Sequence, residues 1–144
     1  MKENLLISAC LLGIPCRYDG RAVIREEISS LSAKYNLIPI CPEIYGGLST
    51  PRIPSERVGE RVLMKDGTDV TENYRRGALA SLTVAQANGC RLALLKERSP
   101  SCGKDKIYDG SFSGALINGS GVAAELLMAN GIAVYGESEI EKLL

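Results

Sequence analysis

The sequence predicts an α/β fold, a Rossmann-like three-layer sandwich around a mainly parallel sheet of about four strands, with a small hairpin beside it. Three observations lead there. Four short apolar runs, at residues 4–9, 36–40, 91–96 and 132–135, have the length and composition of buried strands. Helix-compatible stretches separate them, so strands and helices alternate along the chain. The 144 residues are 45% apolar, enough for one core, and residues 1–144 are read as a single domain.

Each element has a local reason. The run at 4–9 ends at Cys10, and Gly13, Pro15 and Tyr18-Asp19-Gly20 then mark a loop. Residues 22–34 suit a helix, with Val23, Ile28 and Leu31 apolar and Glu26-Glu27 in its first half. The second strand, 36–40, stops at Cys41-Pro42-Glu43. Gly, Pro and Ser then make 44–56 an irregular loop. Asp66-Gly67 predicts a tight hairpin within 57–70, because both residues tolerate positive φ. Over 71–88, Tyr74, Ala78, Leu82 and Ala85 share one helical face; Asp69 or Thr71 can cap the start and Gly89 can end it. The third strand, 91–96, opens a long Ser- and Gly-rich loop over 97–119, and loops of that length in compact domains are usually functional or disordered. A helix at 120–129, a fourth strand at 132–135 and a short helix at 137–144 complete the pattern.

Composition removes several functions. Lys plus Arg and Asp plus Glu are 17 each, a balance that argues against a duplex nucleic-acid partner. No stretch approaches the ~20 apolar residues of a membrane span. The N-terminal residues lack signal-peptide features, so a cytoplasmic location is expected, where thiols stay reduced. There is no histidine, which excludes a His-based triad, a His-containing zinc site and a histidine general base. Any metal must use Cys or carboxylates.

Cys10, Cys41 and Cys102 each follow a predicted strand. In a parallel sheet all three therefore stand at the carboxyl edge, where ligands bind in such folds. Cys90 precedes its strand and is expected to be a buried small hydrophobe at the opposite edge. Cys16 shares the loop of Cys10, as a spare ligand, a supporting thiol or a turn residue. With Cys16 as the fourth ligand the set suits zinc, although no two cysteines are spaced as in a zinc knuckle. Three thiolates on separate strands suit a cubane whose fourth iron has no protein ligand, a thiophilic Lewis acid.

Several motifs are more specific. Ser8-Ala9-Cys10-Leu11-Leu12-Gly13, Cys16-Arg17-Tyr18-Asp19-Gly20, Cys41-Pro42-Glu43, Gly46-Gly47-Leu48, Pro51-Arg52, Arg98-Ser99-Pro100-Ser101-Cys102-Gly103 and Tyr108-Asp109-Gly110-Ser111-Phe112-Ser113-Gly114 span almost the whole chain. Together they resemble the bacterial thiouracil desulfidase family, formerly a domain family of unknown function. The resemblance implies an oxygen-sensitive 4Fe–4S cluster on Cys10, Cys41 and Cys102. It also implies removal of sulfur, without net redox change, from a small thiolated nucleobase such as 2-thiouracil. One fold and one cluster can serve several thiolated compounds, so the substrate is a separate question.

That chemistry needs a proton carrier. Glu43, two residues from Cys41, is the first candidate, and pairing with a nearby Arg is its structural alternative. Ser101, beside Cys102, is the second; it would orient water or bond the base, or merely cap its loop. Arg52 and Arg98 are expected near the site to hold a substrate carbonyl or offset cluster charge, with Arg17 and Lys104 weaker candidates. Gly103, with Gly110 and Gly114, is expected to supply positive φ and close approach, and Ser113 to help line a base pocket. Phe112 is expected in the core rather than as a stacking platform. Two other functions compete: a non-catalytic cysteine metal-binding or thiol redox-sensing protein, and a cluster enzyme adding sulfur to tRNA. The latter is disfavoured by the absence of a P-loop signature and of basic excess. The oligomeric state is left open.

Overall fold

The structure, a computed structural model, describes residues 1–20 and 26–144. The chain opens with strand β1 (Glu3–Ser8), which runs into a 3₁₀ turn, Ala9–Leu11. Helix α1 (Ile28–Lys34) passes without a loop into β2 (Tyr35–Ile40), and a single-turn helix α2 (Pro42–Tyr45) follows. A hairpin, β3 (Ser55–Val58) and β4 (Arg61–Met64), precedes the long helix α3 (Thr71–Ala87) and strand β5 (Leu92–Leu95). A second hairpin, β6 (Lys106–Tyr108) and β7 (Leu116–Asn118), leads to helix α4 (Val122–Ala129), strand β8 (Ala133–Gly136) and a closing 3₁₀ segment, Glu137–Leu143.

The four long-range strands form one parallel sheet in the order β2–β1–β5–β8. Period-2 alternation divides β1 between two cores. Leu6 joins Leu82, Ala85, Leu127 and Val134 under α3 and α4. Leu5 and Ile7 join Leu31, Tyr35, Ile140 and Leu143 under α1 and the closing 3₁₀ segment. Three layers result. The α3 face expected from Tyr74, Ala78, Leu82 and Ala85 is buried. Asp69 Oδ1 accepts the Thr71 N–H at 2.9 Å, and Gly89 ends the helix at φ 62°.

The register aligns the carboxyl ends of the strands: Ser8 stands opposite Ile40, and Ile7 opposite Leu94. The chain moves from β1 to β2 on one side, then crosses back to β5 on the other. Strand order therefore reverses between β1 and β5, the place where open parallel sheets hold their ligands.

Three expectations need correction. The helix expected over 22–34 is helical from Ile28, and 22–25 lie outside the described residues. Asp66-Gly67 does form a tight turn, with the Gly67 N–H on the Met64 carbonyl at 2.9 Å, and the Met64 and Val70 N–H groups on the Thr68 and Val62 carbonyls at 2.8 and 2.9 Å, but this antiparallel pairing is limited to a Leu63–Asp69 bridge before α3 begins. β4 pairs instead with the upstream β3, through a turn at Gly59 and Glu60. The loop at 97–119 contains the β6–β7 pair, whose three-residue strands are too short to leave a periodic signal.

Candidate active site

The site is built where the strands end. After Ser8, the 3₁₀ turn bends the chain and buries Cys10 at the sheet edge. After Ile40, Cys41 takes extended backbone (φ −138°, ψ 96°) as the residue before α2, and Pro42 at the first helical position starts that helix at once. After β5, Ser99 organises the third turn: its Oγ accepts the N–H groups of Ser101 (3.2 Å) and Cys102 (2.7 Å). Gly103 is required there by space, because a Cβ would stand 2.7 Å from the Ser99 carbonyl oxygen. The positive φ expected of Gly103 is not found; Gly110 and Gly114 do have it, at 96° and 83°.

Four thiols, Cys10, Cys16, Cys41 and Cys102, line one cleft of about 660 Å³. Cys16 contacts both Cys10 and Cys41: the Cys10 contact raises its thiol pKa against the lowering effect of the Cys41 contact, the Cys16 contact raises that of Cys41, and burial adds to both. Burial pushes the Cys102 thiol up to about 12, against the lowering effect of contacts with Ser8 and Ser101. Cys16, Cys41 and Cys102 are thus all biased toward the neutral thiol. Cys90 lies away from the cleft, in the core under α3 and α4. Among the described residues, no three Cys, Asp or Glu groups converge as a single metal ion requires. A cubane makes no such demand, since each thiolate has its own iron, and the all-sulfur donor set suits it.

Beside the thiols lies a fixed carboxylate. Glu43 Oε1 accepts from Arg52 Nε and Nη2, both at 3.0 Å, and Oε2 accepts from Ser101 Oγ at 2.8 Å. Ser101 Oγ is also 3.7 Å from Cys102 Sγ, so one hydroxyl touches both carboxylate and thiol. Arg52 is itself immobilised: its side chain is 4% exposed and donates to the carbonyls of Cys16 (2.9 Å) and Ser49 (2.9 Å) and to Thr50 Oγ1 (3.0 Å). Glu43 thus has the Arg partner expected as its structural alternative and also the hydrogen bond to Ser101 expected if Ser101 bonds the base. Tyr74 completes the group. Its buried hydroxyl contacts Glu43 and Ser55, and burial, then the Glu43 charge, raises its pKa. Sequence reasoning placed Tyr74 only on a core face; the available signal was a polar tip on an otherwise apolar stripe, which needs a partner when buried.

The outer wall comes from the hairpins. Glu56, 7% exposed, lines the cleft from β3, and Tyr108 and Phe112 line it from the second hairpin. Phe112 is half-buried on the cleft rather than in the core, a correction that follows from its left-handed φ of 56°, which turns the loop back over the site. Arg98 lines the cleft at φ 70°, exposed, and its guanidinium pairs with no described residue. Arg17 lines it too. Gly103 and Ser113 do not: Gly103 packs against Ile107, and exposed Ser113 shares a 2.6 Å hydrogen bond with Ser111. Lys104 also points elsewhere, to Glu139 at 3.1 Å.

Comparison with known proteins bears on this arrangement. The 2-thiouracil desulfurase family model matches residues 5–139. The uncharacterized protein YbbK of Bacillus subtilis (strain 168) is 41% identical over 150 residues, covering 97% of this chain and 99% of its own length. The solved structure of a [4Fe-4S]-dependent thiouracil desulfidase, TudS, is 45% identical with a TM-score of 0.93, covering 99% of this chain and 95% of that one.

Proposed function

The chain belongs to the 2-thiouracil desulfurase family, and from that premise we propose that it is a [4Fe–4S]-dependent desulfidase converting a thiolated nucleobase such as 2-thiouracil to the oxo base. Water supplies the oxygen and the sulfur leaves as sulfide, so C=S becomes C=O with no net electron transfer. Cys10, Cys41 and Cys102 would hold the cluster, within one domain spanning 1–144 and in a reducing cytoplasm. When bound, the cluster supplies an iron without a protein ligand, a Lewis acid to which a thiocarbonyl sulfur can bind.

The observation that carries this reading is the Glu43 carboxylate fixed between Arg52 and Ser101 at the edge of the thiol-lined cleft. Arg52 aims the carboxylate, leaving Oε2 to exchange a proton with Ser101 or with a water in its place. Glu43 takes a proton from the attacking water and returns it as the C–S bond breaks; Ser101 Oγ, in contact with both Glu43 and Cys102, positions that water. Tyr74 closes the inner side of the carboxylate to solvent. A purely metal-binding or redox-sensing protein needs none of these four groups. Among the described residues no helix is long and apolar enough to cross a membrane, and the neutral charge suits a small substrate rather than a duplex.

The test is anaerobic purification with iron and sulfide analysis, followed by turnover of 2-thiouracil to uracil and sulfide. A chain that carries the cluster without turning over 2-thiouracil would overturn the substrate; one that cannot be loaded with iron would overturn the cofactor.

A further inference from the structure

Four carboxylates line the cleft: Glu43, Glu56, Glu97 and Glu137. Three are engaged there. Glu43 is held by Arg52 and Ser101, Glu137 by Lys96 at 2.6 Å and the Glu97 N–H at 3.1 Å, and both oxygens of Glu97 by Ser138. Glu56 differs. Its Oε1 accepts two backbone N–H groups, from Gly110 at 2.9 Å and Phe112 at 3.1 Å, while its Oε2 accepts from no described residue. The residue is nonetheless buried, at 7% exposure. A buried carboxylate with one oxygen unengaged is costly, and anchoring a loop through one oxygen does not require it, since a neutral amide would serve.

The loop that Glu56 holds is itself constrained. Gly110 (φ 96°) sits so close to β3 that a Cβ would meet Val58 Cγ2 at 2.5 Å, and Phe112 follows in a left-handed conformation on the cleft wall. Adjacent Ser55 contacts Tyr74, which contacts Glu43. The same wall therefore joins the Glu56 acceptor, an aromatic side chain and the proton-carrying group.

We infer that Glu56 Oε2 is the acceptor for a ring N–H of the substrate base, with Phe112 held beside it to bound the ring. This rests on the desulfidase reading and gives it a specificity element: a thiocarbonyl flanked by a ring N–H, as in 2-thiouracil, fits, and a base alkylated at that nitrogen does not. A site built to accept a donor discriminates strongly against analogues that lack it.

The experiment uses anaerobic, cluster-loaded protein, with calorimetric binding of 2-thiouracil and of its 1-methyl and 3-methyl derivatives to wild type and Glu56→Gln, alongside turnover. Gln keeps an oxygen for the two loop N–H groups but presents an NH₂ where Oε2 stood. Glu56→Gln is expected to weaken 2-thiouracil binding ~10–100-fold, the worth of a hydrogen bond to a charged group, with iron content and melting temperature held. One methyl derivative should weaken binding to wild type by a similar factor and bind the variant no worse than 2-thiouracil does. Equal affinity of variant and wild type, or methyl penalties that simply add to the variant's, overturns the inference. Wild-type binding without turnover overturns desulfuration and leaves the inference standing; no wild-type binding overturns both.

Discussion

At Glu43 the two carboxylate oxygens have different partners, Arg52 on one and Ser101 on the other, and this asymmetry makes the residue testable. Glu43→Gln nearly preserves volume and keeps an acceptor for Arg52, but cannot carry a proton. Turnover of 2-thiouracil is expected to fall ~10²–10⁴-fold, the usual worth of a positioned acid or base, while iron per chain stays at the wild-type value. Near-wild-type turnover would transfer the proton work to Ser101 or water. For the thiols, Cys10→Ser, Cys41→Ser and Cys102→Ser are each expected to lose iron and activity, whereas Cys90→Ser, buried away from the cleft, should lose neither. Iron assay of the four variants decides the ligand set; full loading of the Cys41 variant would break it, and loss of all iron on Cys16→Ser would show that Cys16 is a ligand. At this scale the sequence was informative about position: parallel topology alone carries the residues after β1, β2 and β5 to one edge. It was silent on Tyr74 and Glu56, whose place in the cleft depends on tertiary contacts between elements far apart in the chain.

Among the elements, the contact of α2 with α3 controls where Cys41 and Glu43 stand. Gly77 lets α3 approach so closely that a Cβ there would lie 1.8 Å from the Pro42 carbonyl oxygen, and one on Gly46 would lie 2.0 Å from the Asn73 carbonyl oxygen. Both obstacles are backbone, so no side chain can swing aside. Gly77→Ala should gain helix propensity and still destabilise the protein, by ~1–3 kcal/mol as overpacking does. It should also impair iron loading, because α2 must move with Cys41 at its start. Thermal unfolding with an iron assay checks this, and a fully stable, fully loaded variant would show that the approach is looser. The sheet strands and α3 were legible in the sequence because burial left continuous apolar runs or a full helical stripe. The hairpins were not: in β6, Ile107 is the buried residue of three, too little for a pattern, and Glu56, far away in the chain, anchors the loop that joins β6 to β7.

For the molecule as a whole, Glu139 is one of the carboxylates that tie the closing 3₁₀ segment to the third cysteine loop. Glu139 accepts the Gly136 N–H at 3.0 Å and pairs with Lys142 at 3.0 Å and Lys104 at 3.1 Å, and these partners, the backbone N–H first, hold its pKa down to about 2. A carboxyl whose folded pKa lies below its unfolded value contributes stability that is complete above the unfolded pKa and is lost as pH falls through the folded one. Glu139→Gln should therefore cost about 1 kcal/mol near neutral pH, modest because the pairs are screened at the surface, and the gap from wild type should close between about pH 4.5 and 2. Melting temperatures of both proteins across that range test it; a gap that stays constant would place the Glu139 contribution in packing rather than charge. At this scale the three layers were legible from strand and helix alternation, but the second wall of the cleft was not, because neither hairpin belongs to the sheet. The thiols and Glu43 hang from the sheet and α2, whereas Glu56, Tyr108 and Phe112 arrive on appendages. Substitutions on the appendages can therefore reshape that wall of the cleft while leaving the thiols and Glu43 where the sheet and α2 hold them.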